Sequence, residues 1–347
     1  MTEPIDQIKS TPCTQCILCG SQGAPLYHDL RDRLFDAPGS WNLKTCSNPE
    51  CGLLWLDPLP FASEIWKAYK NYYTHSSAAT ESVSRLKQHY LHIKSRWLSR
   101  DFGYPLDPSD QSSGFMKQIS LFIPMLRQLA YEQVRFLPFV AGGKLLDVGC
   151  GSGDWMEQMR ALGWTVEGVD FDPKAVQAAC DLGMKVRVGS VEEQSYPNAS
   201  FDAVTLNHVI EHVPDPIRTI QECARILKPG GKLVMFTPNA ASLSHRYFKQ
   251  DWRGLEPPRH LHIFSFESMR QLFNKADFAH VSIKPDVGTS ASFESVLIRK
   301  SRKKSTKVTL EAWRKRPFWR MVSLFQHLTV WLVPTVAECQ MVIAVKS

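Results

Sequence analysis

The stretch Lys144-Leu-Leu-Asp-Val148, running into Gly149-Cys150-Gly151-Ser152-Gly153-Asp154-Trp155, constrains the fold of this chain more than any other. A short, mostly apolar run predicts a buried strand. Three glycines at alternate positions then let the backbone turn sharply and approach a ligand before a helix opens near Asp154. A second strand, Thr165–Val169, ends in Asp170, an acidic residue placed where it can accept hydrogen bonds from ribose hydroxyls. Short apolar runs alternating with helical stretches predict an α/β fold on a parallel, doubly wound sheet. The dinucleotide fingerprint G-x-G-x-x-G would need glycine at 154, where aspartate stands. An adenosine-type ligand without a pyrophosphate is therefore expected.

Ahead of this core lies a cysteine-rich segment. Of nine cysteines, five fall within the first 51 residues, in CTQCILCGS (13–21) and LKTCSNPECGLLWLDPLP (43–60). Cys16 and Cys19, followed by Gly20, form a tight knuckle, and Cys46 and Cys51 form a second pair with a wider spacing. Two such pairs can supply a tetrahedral four-thiolate site, structural because no coordination position stays open. Cys13 is a competing ligand, and free cysteines at chance spacing are the plainer alternative. The segment 13–60 carries only Arg31, Arg33 and Lys44 as cations, which argues against a nucleic-acid-binding ribbon.

The domain reading is a zinc-ribbon-like segment at 1–60, a helical cap or lid at 61–138, and the α/β domain at 139–347 with an insertion at 299–335. Within the cap, Leu86, Tyr90, Ile93 and Trp97 mark an amphipathic helix over Ser82–Arg100, Asp101–Ser113 reads as a loop, and Phe115–Phe136 reads as a helix, with Pro124 as a kink site. The N-terminus has neither a basic nor an apolar signal region, no apolar run is long enough to cross a bilayer, and the cysteines are odd in number; a reducing cytoplasm is expected.

In this order LLDVGCGSGDW (145–155), VEGVDFDP (166–173), FDAVTLNHVIEHVPDP (201–216), LKPGGKLVMFTPN (227–239) and HLHIFSFESMRQLFNKADF (260–278) resemble the class I S-adenosylmethionine-dependent methyltransferases. The cysteine pairs followed by CGLLWLDPLP resemble a subgroup with a zinc-binding segment before the methyltransferase domain. The resemblance implies a seven-stranded Rossmann-like sheet, S-adenosylmethionine as cofactor, a structural zinc ion on Cys16, Cys19, Cys46 and Cys51, and a small-molecule acceptor: a sugar, polyketide or lipid-like metabolite. It implies that Asp147, Gly149, Cys150 and Gly151 line the methionine end of the cofactor pocket, that Asp170 holds the ribose, and that Phe171 flanks the adenine. The aspartate that many relatives use at the adenine is missing, leaving Ser190 or the Val191 backbone. Asn207 and His208 should face the methylsulfonium. An N-P-P-Y-like signature for methylating base amino groups is absent, so oxygen or carbon is the expected acceptor atom and nucleic acid is not an expected partner. A non-catalytic adaptor with a methyltransferase-like binding domain is the alternative.

Methyl transfer to a hydroxyl or an acidic carbon needs alignment and a base, and histidine suits neutral pH. His208, Glu211 and His212 are expected along one side of a helix start. There they would hold a divalent metal, as quinone-directed relatives do with Glu-x-x-Glu-His, or simply order the junction. His208 in place of the first glutamate costs magnesium a ligand. His260, in Arg259-His260-Leu261-His262 after two prolines, is the preferred acceptor-side base. His245 lies in the same connection and is a further candidate for substrate contact.

The net charge of +7 is local. Residues 299–320 hold ten Lys or Arg and one Glu, and lead into the apolar FWRMVSLFQHLTVWLV (318–333). This segment, 299–333, is a candidate for peripheral contact with an anionic membrane. The alternatives are docking on its own domain or a homodimer interface.

Overall fold

A computed structural model describes residues 7–70, 85–106, 124–286, 291–304, 329–330 and 332–347. Five short strands build the N-terminal segment: β1 (Ser10–Thr11), β2 (Gly23–Leu30), β3 (Trp41–Cys46), β4 (Leu54–Leu56) and β5 (Leu59–Pro60). The large sheet follows with β6 (Lys144–Val148), β7 (Thr165–Asp170), β8 (Lys185–Val188), β9 (Phe201–Asn207) and β10 (Leu227–Pro238). After β11 (His262–Ile263), which leaves this sheet, β12 (Phe278–Asp286) and β13 (Cys339–Lys346) complete it.

The seven strands run in the order β12-β13-β10-β9-β6-β7-β8. β8, β7, β6, β9 and β10 pair in parallel, and β13 enters antiparallel between β10 and β12. This is the doubly wound, Rossmann-like sheet expected from the sequence. The chain leaves β6 toward β7 on one side and returns as β9 on the other. The crevice beyond the carboxyl ends of β6 and β9 is therefore the topological switch point where such sheets bind ligands. β6 and β9 are buried on both faces because helices cover both sides of the sheet.

Two helices on this sheet share a start signal written in the sequence. Asp172-Pro173 opens the helix Pro173–Asp181, with the Asp172 carboxylate accepting from the Lys174 amide at 2.9 Å. Asp215-Pro216 opens Pro216–Ile226 in the same manner, accepting from the Arg218 amide at 3.0 Å. An N-cap aspartate satisfies an otherwise orphaned N–H, and proline at the first helical position loses no bond.

One face of the sheet packs Ile220 and Cys223 of Pro216–Ile226 and Met269 and Leu272 of the helix Phe266–Phe273 into a core shared with Cys16, Leu18, Cys51 and Trp55. The other carries Leu98 of the helix Arg85–Phe102 and Met156 and Met159 of the helix Asp154–Ala161. The described part of the stretch expected to be helical over Phe115–Phe136 corrects that reading. Helix runs from Pro124 to Gln133, so Pro124 opens its described part. Arg135 and Phe136 follow with positive φ, which an α-helix cannot hold. Asp101 and Phe102, read as loop, are the last turn of the preceding helix.

The N-terminal segment is stitched into the α/β domain. β2, β3 and β4 form an antiparallel sheet whose fourth strand is β11, with His262 opposite Trp55 and Ile263 opposite Leu54. No helix among the described residues is long and apolar enough to cross a membrane. Most of the candidate contact segment 299–333 lies outside the described residues; Ala291–Lys304 is a helix whose Arg299 and Arg302 pair with the buried Asp251.

Candidate active site

The loop after β6 shapes one wall of the crevice. Gly149 takes φ +71°, and a Cβ there would collide with the Val209 side chain from the loop after β9. Gly151 donates its amide to Asp170 Oδ2 at 2.9 Å, while Asp170 Oδ1 accepts from the Asp172 amide at 2.9 Å. The two bonds fix the carboxylate at the tip of β7, where both oxygens retain lone pairs for ribose hydroxyls. Burial raises the Asp170 pKa against the pull of those amides. Phe171, directly after it, is 43% exposed. Ser190 caps the 3-10 turn Val191–Glu193, and Val191 packs into the core. Cys150 is buried beneath the loop, with a raised thiol pKa from burial.

Asp147 sits differently from the expectation that it lines the pocket with the glycines. Its carboxylate is buried and accepts from Thr205 Oγ1 at 2.7 Å, on the neighbouring strand at the same register, and from Arg135. The Arg135 guanidinium also lies 3.6 Å from the centre of the Trp155 ring. Arg135 carries no local sequence signal, because it reaches Asp147, 12 residues on, only through tertiary folding.

On the opposite wall, the expectation that His208, Glu211 and His212 lie along a helix start is corrected. Residues 208–213 form a turn, His208 has φ +55°, and the helix begins only at Pro216. The proline fixes the helix start there, and Asp215 caps it. The turn sends the two histidines to different partners. His208 Nδ1 lies 3.1 Å from Glu211 Oε1, and Glu211 Oε2 accepts from Thr237 Oγ1 at 3.0 Å. His212 Nδ1 faces the Arg259 carbonyl and the Tyr69 hydroxyl, each at 3.0 Å. The fully buried Glu211 also accepts, through its carbonyl, the amides of Leu261 and His262.

His208 and His260 separate on exposure and basicity. The His208 side chain is 46% exposed, whereas that of His260 is 6% exposed. Desolvation lowers the His208 pKa, but the Glu211 bond and charge, with Asp286 and Glu256 adding to them, raise it overall. His260 is pushed down to about 4 by burial and by His212. Its Nδ1 is taken by the Gly254 carbonyl at 2.7 Å. His245 is also enclosed: it stacks on Trp252, with Nδ1 at the Ala240 carbonyl and Nε2 at the Tyr27 hydroxyl.

Glu211, His212 and His260 bring donor atoms within 4.8 Å of one another, and His208 is outside that group. One carboxylate and two imidazoles make a poor fit for magnesium, which seeks oxygen ligands.

Cys16, Cys19, Cys46 and Cys51 do converge, with all four sulfurs within 4.8 Å. Cys16 and Cys51 are 3.7 Å apart and Cys19 and Cys46 3.4 Å. Those spacings are too long for disulfides and close to the edge, about 3.8 Å, of a zinc–thiolate tetrahedron with bonds of about 2.3 Å. The Cys16 thiol is held down to about 5, first by Cys51 and also by the amides of Cys19 and Leu18. The competing ligand Cys13 lies outside the group, its sulfur directed to the Gln15 carbonyl.

Residues 125–283 match a family model described as a methyltransferase domain. The chain is 37% identical over 173 residues to a ubiquinone biosynthesis O-methyltransferase of Xanthomonas axonopodis pv. citri, covering 48% of this chain and 65% of that protein. A protein of the same description from Xanthomonas oryzae pv. oryzae is 46% identical over 107 residues, covering 29% of this chain and 45% of its own. The chain thus spans less than two thirds of the length of these relatives. Among solved structures, an Archaeoglobus fulgidus SAM-dependent methyltransferase covers 67% of this chain and all of its own, at 20% identity and a TM-score of 0.44.

Proposed function

We propose that this chain is an S-adenosylmethionine-dependent methyltransferase acting on a hydroxyl of a small-molecule acceptor. The observation that carries the reading is the pairing, across one switch-point crevice, of an amide-fixed Asp170 with an exposed, carboxylate-backed His208. The family match and the O-methyltransferase names of the curated relatives support it. A sugar, polyketide or lipid-like metabolite is the proposed acceptor class, and the cytoplasm the proposed compartment.

S-adenosylmethionine bound in the crevice supplies an electrophilic methyl group and leaves as a neutral thioether. Asp170 would hold the ribose hydroxyls, and the glycine loop, free of Cβ atoms, admits the methionine portion beside it. The protein's main contribution to an in-line displacement is alignment. His208 is the proposed base. Its Nδ1 is committed to Glu211, so Nε2, without a protein partner among the described residues, takes the acceptor proton as the carbon–oxygen bond forms. Glu211 orients the ring and stabilises the imidazolium. His260, the base expected from the sequence, is unsuited to the role because its ring is enclosed and its pKa is pushed down to about 4. The four-thiolate site is proposed to hold a structural zinc ion that closes the N-terminal segment.

His208→Ala should leave S-adenosylhomocysteine affinity intact and reduce turnover of labelled cofactor by about 10²-fold or more. In the wild type, kcat/KM should rise with pH through a midpoint above the ordinary histidine value, because the raised pKa keeps His208 protonated, and unable to act as base, to higher pH. Glu211→Gln should lower that midpoint. Unchanged turnover in His208→Ala would remove the base assignment. A wild-type protein whose melting is unmoved by S-adenosylhomocysteine would remove the methyltransferase reading and favour a non-catalytic adaptor.

A further inference from the structure

The crevice has a third wall, and it comes from the cysteine segment. Directly after β4 and β5 the chain makes the 3-10 turn Ile65–Tyr69. The Tyr69 ring meets Phe171 edge-on, with centroids 4.7 Å apart at 63°. Its hydroxyl lies 3.0 Å from His212 Nδ1. One side chain thus touches both the residue after Asp170 and the loop that carries His208.

The turn is held from beneath. Arg259, fully buried, donates to the Ala68 carbonyl at 2.8 Å, to Asp32 at 2.7 Å and to Glu256 at 2.8 Å. Upstream, β4 is anchored on both sides. It pairs with β3 and β11, the Cys46 amide donates to the Leu53 carbonyl at 2.9 Å, and Ser265 Oγ donates to the Cys51 carbonyl at 2.9 Å. Cys46 and Cys51 bracket the turn that feeds β4, so a centre that fixes their sulfurs would act on the strand and, through it, on the approach to Tyr69.

We infer that Tyr69 is a binding residue of the adenosine pocket, closing it beside Phe171, and that the four-cysteine centre sets adenosine affinity by holding Tyr69 in place. The inference rests on the methyltransferase reading, which puts adenine at Phe171. An aromatic edge and face bracketing a purine contribute through stacking and exclusion of water, on the scale of about tenfold in affinity for one ring. The hydroxyl is less important for this role than the ring, because its partner His212 is already engaged by the Arg259 carbonyl.

Calorimetric titration of the full, metal-loaded chain with S-adenosylhomocysteine tests this. Tyr69→Ala should weaken binding about tenfold, and Tyr69→Phe should bind within about threefold of wild type. Extracting the metal with a thiol reagent and chelator should weaken wild-type binding by a similar factor and add little to the loss in Tyr69→Ala. If Tyr69→Ala loses its cooperative melt, Tyr69→Leu, which keeps apolar bulk without an aromatic face, serves in its place. Wild-type affinity in a folded Tyr69→Ala or Tyr69→Leu protein overturns the inference while leaving the methyltransferase reading intact. Losses from metal extraction and from the substitution that simply multiply overturn the coupling. A wild type that does not bind S-adenosylhomocysteine at all overturns both, which distinguishes the two failures.

Discussion

Gly149 shows how one missing carbon atom holds the crevice open. Its backbone is left-handed, and the space its side chain would need belongs to Val209. Gly149→Ala should therefore lose S-adenosylhomocysteine binding by at least about tenfold, from backbone strain and displacement of the loop after β9. Adding Val209→Ala should restore part of the affinity, because it removes the collision but not the strain; no recovery would mean that the strain dominates. The glycine loop and Asp170 were legible in the sequence because their function lies in a local turn and a fixed spacing. His208, with its positive φ, was legible as a candidate but not in its geometry. Whether residues 208–213 form a helix or a turn is decided by Pro216 and by the buried carboxylate of Glu211 finding Thr237. Arg135 beside Asp147 depends on the same kind of non-local closure.

At the scale of elements, the Asp-Pro caps and apolar runs made the strand–helix alternation readable, since each signal acts within a few residues. β11 was not readable. Two residues, one of them histidine, carry no periodicity, and they become a strand only because Trp55 and Leu54 present an edge to them. That pairing yields a prediction about the cysteine segment. Cys51→Ser should abolish binding of the proposed zinc ion by metal analysis and expose the remaining thiols to titration, since three sulfurs cannot close the tetrahedron. Retention of one zinc ion per chain in that variant would show that Cys13 can substitute. The large sheet should survive, with its own core on the face away from the cysteines.

Across the whole molecule, polar groups buried between segments hold together parts that are far apart in sequence. Arg259 ties the loop at Asp32, the turn at Ala68 and the connection at Glu256 with no exposed surface of its own. Arg259→Ala would leave Asp32 to the amides of Leu34, Phe35 and Ala37 and Glu256 to Arg253, and should destabilise the fold by about 2–3 kcal/mol in denaturant titration. A loss below about 1 kcal/mol would show that water replaces the guanidinium. Histidines add a pH dependence. Burial lowers the pKa values of His260 and His262 to about 4 and also depresses His212 and His245. The unfolded chain gains these protons below about pH 6.5, whereas the folded chain resists them, so the contribution of these four histidines is full above that pH and falls as pH drops toward 4. The melting temperature should decline from pH 7 to pH 5, and His262→Phe should flatten the decline; an unchanged slope would assign the acid sensitivity elsewhere.

The β4–β11 pairing also has a consequence in time. A ribosome delivers the four cysteines and β4 first, and the strand that covers the open edge of β4 only after the crevice-forming strands β6 to β10 have emerged. For most of synthesis the segment must therefore survive with Leu54 and Trp55 uncovered, and an unpaired edge of that kind invites wrong partners. Four thiolates closing on an ion need no residue beyond Cys51. Early capture of the proposed zinc ion would then act as an internal chaperone, keeping the unfinished sheet in register until its last strand arrives.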